Sequence, residues 1–208
     1  IAQPRGGLEQ PGAAAGALGR VHLVARVVGE GHREVVPPAV VRQRQILLGE
    51  LMDGGVTVID PSTTFVHAGV RVGRDTILHP GTSLEGTTVV GESSVIGPNA
   101  RITDAQIGDR VTIEASTLVG TVIGDDSRVG PYSRLRPGVR LGRFVDVGNY
   151  AEMKNATIGD RTKVHHMSYI GDATIGADVN IGAGTITCNF EGRAKHPTVV
   201  EDGAFIGS

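Results

Sequence analysis

From Val72 to Thr187 the chain places an aliphatic residue at every sixth or fifth position, through Leu78, Leu84, Val90, Ile96 and Ile102 and on to Ile170, Ile175 and Ile181. Of the 21 positions in this column only the last, Thr187, is not aliphatic, in a chain that is 39% hydrophobic. Two residues before each stands Ser, Thr, Ala or Val, and in 12 cases Gly follows directly. Side chains alternate across a strand, so the small and the aliphatic residue point inward and the one between them outward. The Gly and the two residues after it form a turn, where a missing Cβ permits φ > 0 or a close backbone approach. Short strand and short turn, repeated, predict a prism-shaped parallel β-helix with three flat faces, about 18 residues per coil and roughly eight coils. We label the faces so that strands ending at Leu135, Met153, Ile170 and Thr187 lie on face A, those ending at Val164, Ile181 and Ile206 on face C, and face B between them.

The remaining fifth of the chain reads differently. Residues 1–38 are rich in Ala, Gly, Pro, Arg and Val without a period, which predicts a linker or disorder. Residues 39–54 predict a connector helix with Val40, Leu47, Leu48 and Leu51 as its apolar face, Pro38 at its start and Gly54–Gly55 at its stop. Residues 55–208 make up the β-helix. The chain starts at Ile1 and stops at Ser208 in mid-repeat, which predicts a fragment whose last coil is an unpaired edge.

Composition narrows the function. With 20 Lys+Arg against 22 Asp+Glu, the electrostatic footprint of a nucleic-acid binder is missing. No run of about 18 apolar residues suggests a spanning helix, and the single cysteine, Cys188, excludes a disulfide framework within one subunit. Seven aromatic residues and no Trp suit a narrow core of small aliphatics.

A repeat shows its functional residues as exceptions. Arg136, Lys154 and His165 occupy turn positions usually given to Gly. Arg136 and Lys154 are one coil apart, so they stack at the corner between faces A and B, with no acidic partner expected in register. An anion between them, such as a phosphate, would relieve their repulsion, with Arg supplying a fork and Lys a point charge; solvated surface cations are the plain alternative. Tyr169 on face A and Asn180 on face C point outward and can hydrogen-bond a sugar; for Asn180 a turn-side polar ladder is the plain alternative. His165 and His166 share the turn from C to A, and histidine suits proton transfer near neutral pH. His166, Ala183 and Ser208 line that corner on neighbouring coils, a groove for a long thin ligand. The repeat breaks once, between Thr187 and Val200, ejecting a loop at the A-to-B corner. Within it Cys188 reads as a small buried thiol rather than a nucleophile.

The segments Leu135–Gly138, Glu152–Lys154, Lys163–Asp172 and Asn180–Phe190 together resemble the C-terminal acetyltransferase half of the bacterial bifunctional glucosamine-1-phosphate acetyltransferase / N-acetylglucosamine-1-phosphate uridyltransferase, from about residue 43 onward. The resemblance implies a left-handed β-helix, a cytoplasmic homotrimer, and acetyl-CoA as co-substrate in making UDP-N-acetylglucosamine for peptidoglycan and lipopolysaccharide. It implies His166 as general base, Arg136, Lys154, Tyr169, Asn180 and Lys195 around glucosamine 1-phosphate, and Ala183, Asn189, Phe190 and Ser208 around acetyl-CoA. No metal is implied for this half; magnesium belongs to the uridyltransferase domain, whose Gly-rich nucleotide loop is absent from the sequence. No nucleic acid or membrane is implied as a partner. Phe190 replaces a Tyr, removing a hydroxyl contact to the cofactor, and His165 replaces a small residue beside the base. Two other readings fit a β-helix. An inactive trimerisation rod would tolerate His166→Ala in every assay. A zinc-dependent carbonic anhydrase type needs three gathered histidines, whereas His67 and His79 lie several coils from His165 and His166.

Overall fold

The computed structural model describes residues 37–207. The expected linker, residues 1–38, lies outside them apart from its last two residues. The rest is a left-handed parallel β-helix preceded by one helix. The aliphatic column sets the register. Leu118, Leu135, Met153 and Ile170 are successive partners on face A. Ile123, Leu141, Ile158 and Ile175 are partners on face B, and Val147, Val164, Ile181 and Ile206 on face C. Face C is a nine-stranded sheet. Faces A and B join into a 13-stranded sheet because the strands Glu152–Ile158 and Tyr169–Ile175 run through the corner between them. Most other strands are only two residues long, since the small inward residue already belongs to the turn.

Both inward columns are buried along the middle of the coil, while Val58 and Val72 near its start and Thr185, Thr187 and Ile206 near its C-terminal end are half-exposed. Most inward hydroxyls find a carbonyl acceptor in their own turn or on the next coil, Thr121 being an exception. Thr76 donates to the Gly91 carbonyl at 2.8 Å, Ser127 to Gly142 at 3.0 Å and Thr162 to Gly176 at 2.7 Å, so no hydroxyl in these three is left unpaired.

Of the two reasons offered for the turn glycines, close approach accounts for most of them. A Cβ on Gly73 would lie 2.6 Å from the Gly91 carbonyl carbon, with no room between stacked turns. The left-handed residue of the turn comes later and carries a side chain, as in Asp75 (φ 59°), Arg110 (φ 55°) and Arg161 (φ 60°). The corners are therefore free to display chemistry.

The helix spans Pro38–Asp53. Leu48 is fully buried and Leu51 packs against the core, so the helix closes the first coil, whereas Val40 is exposed and is no part of the packed face. The first turn projects clear of the coil, and Arg44 fastens the next by donating to the Ser62 carbonyl at 3.0 Å and lying over the Phe65 ring. Among the described residues no helix is long and apolar enough to cross a membrane.

Candidate functional site

The repeat puts Arg136 and Lys154 directly after Leu135 and Met153, which are partners on adjacent coils, and the Arg136 amide donates to the Met153 carbonyl at 2.9 Å. The two cations therefore stack at one corner. Arg136 does have an acidic partner, which corrects the sequence expectation: its Nη1 lies 3.1 Å from Glu152 Oε1. The carboxylate comes from the outward position of face A on the next coil, a diagonal contact that a count along one column does not include. Among the described residues Lys154 makes no ion pair. Tyr169 points outward from face A, directly above Glu152. Its hydroxyl lies 2.7 Å from where a Cβ on Gly171 would stand, and Gly171 is the strand partner of Lys154. Lack of a side chain at Gly171 thus lets the phenol tip settle over the corner, one rung above the Lys154 backbone.

One position further along the same corner, Asn155, Asp172 and Asn189 follow at intervals of one coil. Asn155 Nδ2 donates to Asp172 Oδ1 at 2.7 Å, and Asn189 Nδ2 makes a short hydrogen bond to Oδ2. Lys195 Nζ is 3.6 Å from the same Oδ2. These donors hold the Asp172 carboxyl below its ordinary value, Asn155 contributing most, then Asn189 and Lys195, against the opposing effect of desolvation. The ejected loop is a small hairpin: Phe190 and Lys195 pair antiparallel, His196 donates to the Asn189 carbonyl at 2.8 Å, and Gly192 turns with φ +98°. Asn189 is buried at its root while Phe190 is exposed. Cys188 is also exposed, with φ +47°, which corrects the buried-thiol reading. The core column ends at Thr187, and the next residue already belongs to the departing hairpin.

The C-to-A corner carries the histidines. His166 and Met167 both adopt left-handed φ, 55° and 58°, so two consecutive side chains are turned outward. His165 Nε2 lies 3.3 Å from Asp146 Oδ2, and the two imidazoles meet edge to face at 5.4 Å. Gly148 makes this possible, since a Cβ there would come within 2.8 Å of the His165 ring. Both histidines open on an exposed groove bordered by Tyr132 and Tyr150, whose rings stack at 5.6 Å. The Gly184 amide is taken up by the His166 carbonyl at 2.9 Å. Ala183, between Gly182 and Gly184, is exposed beside it. Asn180 stands outward on face C, above Lys163. Ser208 lies outside the described residues.

Within one chain, then, Arg136, Lys154, Tyr169, Asn189, Phe190 and Lys195 gather at or near the A-to-B corner. His166 and Ala183 gather at the opposite edge of face A, and Asn180 lies around that edge on face C. His67 is not near either group; its Nδ1 accepts the Gly86 amide at 3.0 Å in a turn of the early coils. Sequence reasoning missed Glu152, Asp172 and Asp146. Asp172 left a signal, the one-coil spacing of Asn155, Asp172 and Asn189, which is one residue shorter than the interval used to find Arg136 and Lys154.

The coil and its two decorated corners define a hexapeptide-repeat protein of the left-handed β-helix class. No family model matches the chain. The chain is 54% identical over 159 residues to the bifunctional protein GlmU of Thermotoga petrophila, covering 76% of this chain and 36% of that protein. It is 55% identical over 157 residues to the bifunctional protein GlmU of Heliobacterium modesticaldum, covering 76% and 34%. Its matched region is homologous to part of the bifunctional GlmU proteins, and the chain spans about a third of the length of these curated relatives. Among solved structures, the acetyltransferase domain of PglB from Neisseria gonorrhoeae in complex with acetyl coenzyme A is 16% identical, with a TM-score of 0.44, over 64% of this chain and 63% of that one.

Proposed function

We propose that this protein transfers the acetyl group of acetyl-CoA to the amine of glucosamine 1-phosphate, giving N-acetylglucosamine 1-phosphate. The observation that carries the reading is the stacking of Arg136 on Lys154 at one edge of face A, with the Tyr169 phenol tip beside them and His166 at the other edge. A phosphate held by the two cations orients the sugar along face A, which supplies the proximity component of catalysis. Glu152 keeps the Arg136 fork extended before substrate arrives.

An amine attacks a thioester only with its lone pair free. The nitrogen bonds to the acetyl carbon, His166 accepts the amine proton, the carbon–sulfur bond breaks, and the departing thiolate takes up the proton as CoA. The exposed corner backbone at Ala183 offers an N–H for the tetrahedral oxyanion. Asn180 and Lys195 contact the sugar phosphate, and Asn189, Phe190 and Ser208 the cofactor; Phe190 offers a ring face without a hydroxyl. The working unit is a homotrimer acting in the cytoplasm. The exposed ridge of Tyr132, Tyr150 and Met167 beside His166 supports burial against another copy.

The test is thiol release from acetyl-CoA with glucosamine 1-phosphate, alongside calorimetric binding of each substrate. We expect release that depends on the sugar phosphate and falls at least about 100-fold in His166→Ala, the usual scale of a lost general base. Binding of neither substrate, or release unaffected by His166→Ala, would overturn the reading.

A further inference from the structure

Among the described residues, the hairpin that leaves the coil after Thr187 has a single charged anchor to the coil. Its stem residue Asn189 and its outer-strand residue Lys195 both converge on Asp172, and the carboxylate's other oxygen takes Asn155, the residue that follows Lys154. Asp172 itself sits in the seven-residue strand Tyr169–Ile175, hydrogen-bonded through the corner to Glu152–Ile158. Its side chain is 14% exposed, against 50% for Lys195. One rigid, sheltered carboxylate therefore ties a projecting hairpin to the rung that bears Lys154.

We infer that Asp172 is a positioning residue, which fixes Asn189 and Lys195 relative to Lys154 so that the hairpin presents both to the substrates. The inference rests on the acetyl-transfer reading, because it assigns substrates to Asn189 and Lys195. Geometry gives it a definite sign. A carboxylate at 3.6 Å competes with phosphate for Lys195. If neutralising Lys195 were its whole effect, removing the charge would strengthen sugar-phosphate binding. If it holds the hairpin in place, removal frees Lys195 and Asn189 to wander, and binding weakens even though a competitor has gone. Depression of the carboxyl below its ordinary value agrees with a charge stabilised by several donors.

Asp172→Ala and Asp172→Asn separate these outcomes. The first readout needs no substrate: limited trypsin digestion after Arg193 and Lys195, the two cleavable bonds in the hairpin. We expect Asp172→Ala to be cut there about tenfold faster than the parent, the scale of losing one charge-assisted anchor. Asp172→Asn, which keeps the size and part of the hydrogen bonding, should fall between them. The second readout is steady-state kinetics, where KM for glucosamine 1-phosphate should rise about tenfold or more in Asp172→Ala, with a smaller change in kcat. Unchanged digestion overturns the inference, and so does a KM that stays constant or falls. If the parent protein itself shows no acetyl transfer, the functional reading fails instead, while the digestion result still decides whether Asp172 anchors the hairpin.

Discussion

Leu118→Ala tests the packing on which every corner depends. Leu118 is fully buried at the middle of face A, between Ile102 and Leu135, both also fully buried. The substitution removes three carbons, about 2.4 kcal/mol at ~0.8 kcal/mol for each buried methylene. A cavity term is added to the extent that the neighbours cannot close in. Here they are held apart by rung hydrogen bonds, Arg101 N–H to Ser116 O at 2.9 Å and Thr117 N–H to Ser133 O at 3.0 Å. The site cannot collapse without breaking the ladder, which places the loss near the upper part of the usual range, about 4 kcal/mol. Ile206→Ala is the control. It sits on the outermost strand of face C and is half-exposed, so the same loss of carbons encloses no cavity and should cost roughly 1–2 kcal/mol. Urea unfolding followed by far-ultraviolet circular dichroism measures both. Each coil touches only its neighbours, so the slope of the transition must be compared as well as its midpoint. Equal losses from the two variants would refute the claim that stacked rungs prevent closure.

Two further outcomes follow from the corners. At the B-to-C corner, Arg110 and Arg161 hold the carboxyls of Asp126 and Asp178 below their ordinary value of 3.8, through paired hydrogen bonds outweighing desolvation. A depressed carboxyl contributes stability that is complete above its unfolded value and is lost as pH falls through the folded one. Thermal midpoints measured across acidic pH should therefore decline below about pH 3.8, and Asp126→Asn with Asp178→Asn should flatten that decline. At the C-to-A corner, His165→Ala removes a partly exposed pair with Asp146 and should cost no more than about 1 kcal/mol in calorimetry. On the proposed acetyl-transfer reading it should also lower activity far less than His166→Ala.

Much of this molecule was legible as arithmetic along the chain. A column that advances by six or five residues, three steps to a coil, leaves one register in which Val147, Val164 and Ile181 can meet, and they do. The stacking of Arg136 on Lys154 followed from the same count. What the count does not contain is direction off the column. Glu152 reaches Arg136 diagonally from a neighbouring outward position, and Asp146 meets His165 across a space left by Gly148. Both depend on rotamers and on a missing Cβ rather than on spacing. Cys188 was misjudged because burial was extended one residue past the last inward position, although a chain leaving the coil takes its next side chain with it. Leu48 was foreseen as apolar, yet its task of closing the first coil appears only once the coil has an end to close.

The inward pair of each repeat and the outward corner residues have no position in common. A protein wound this way can exchange the groups it presents to small molecules without disturbing what keeps it wound, and the reverse also holds. Substrate preference and folding are thus inherited on separate lines of the same text, so one can drift while the other stands still.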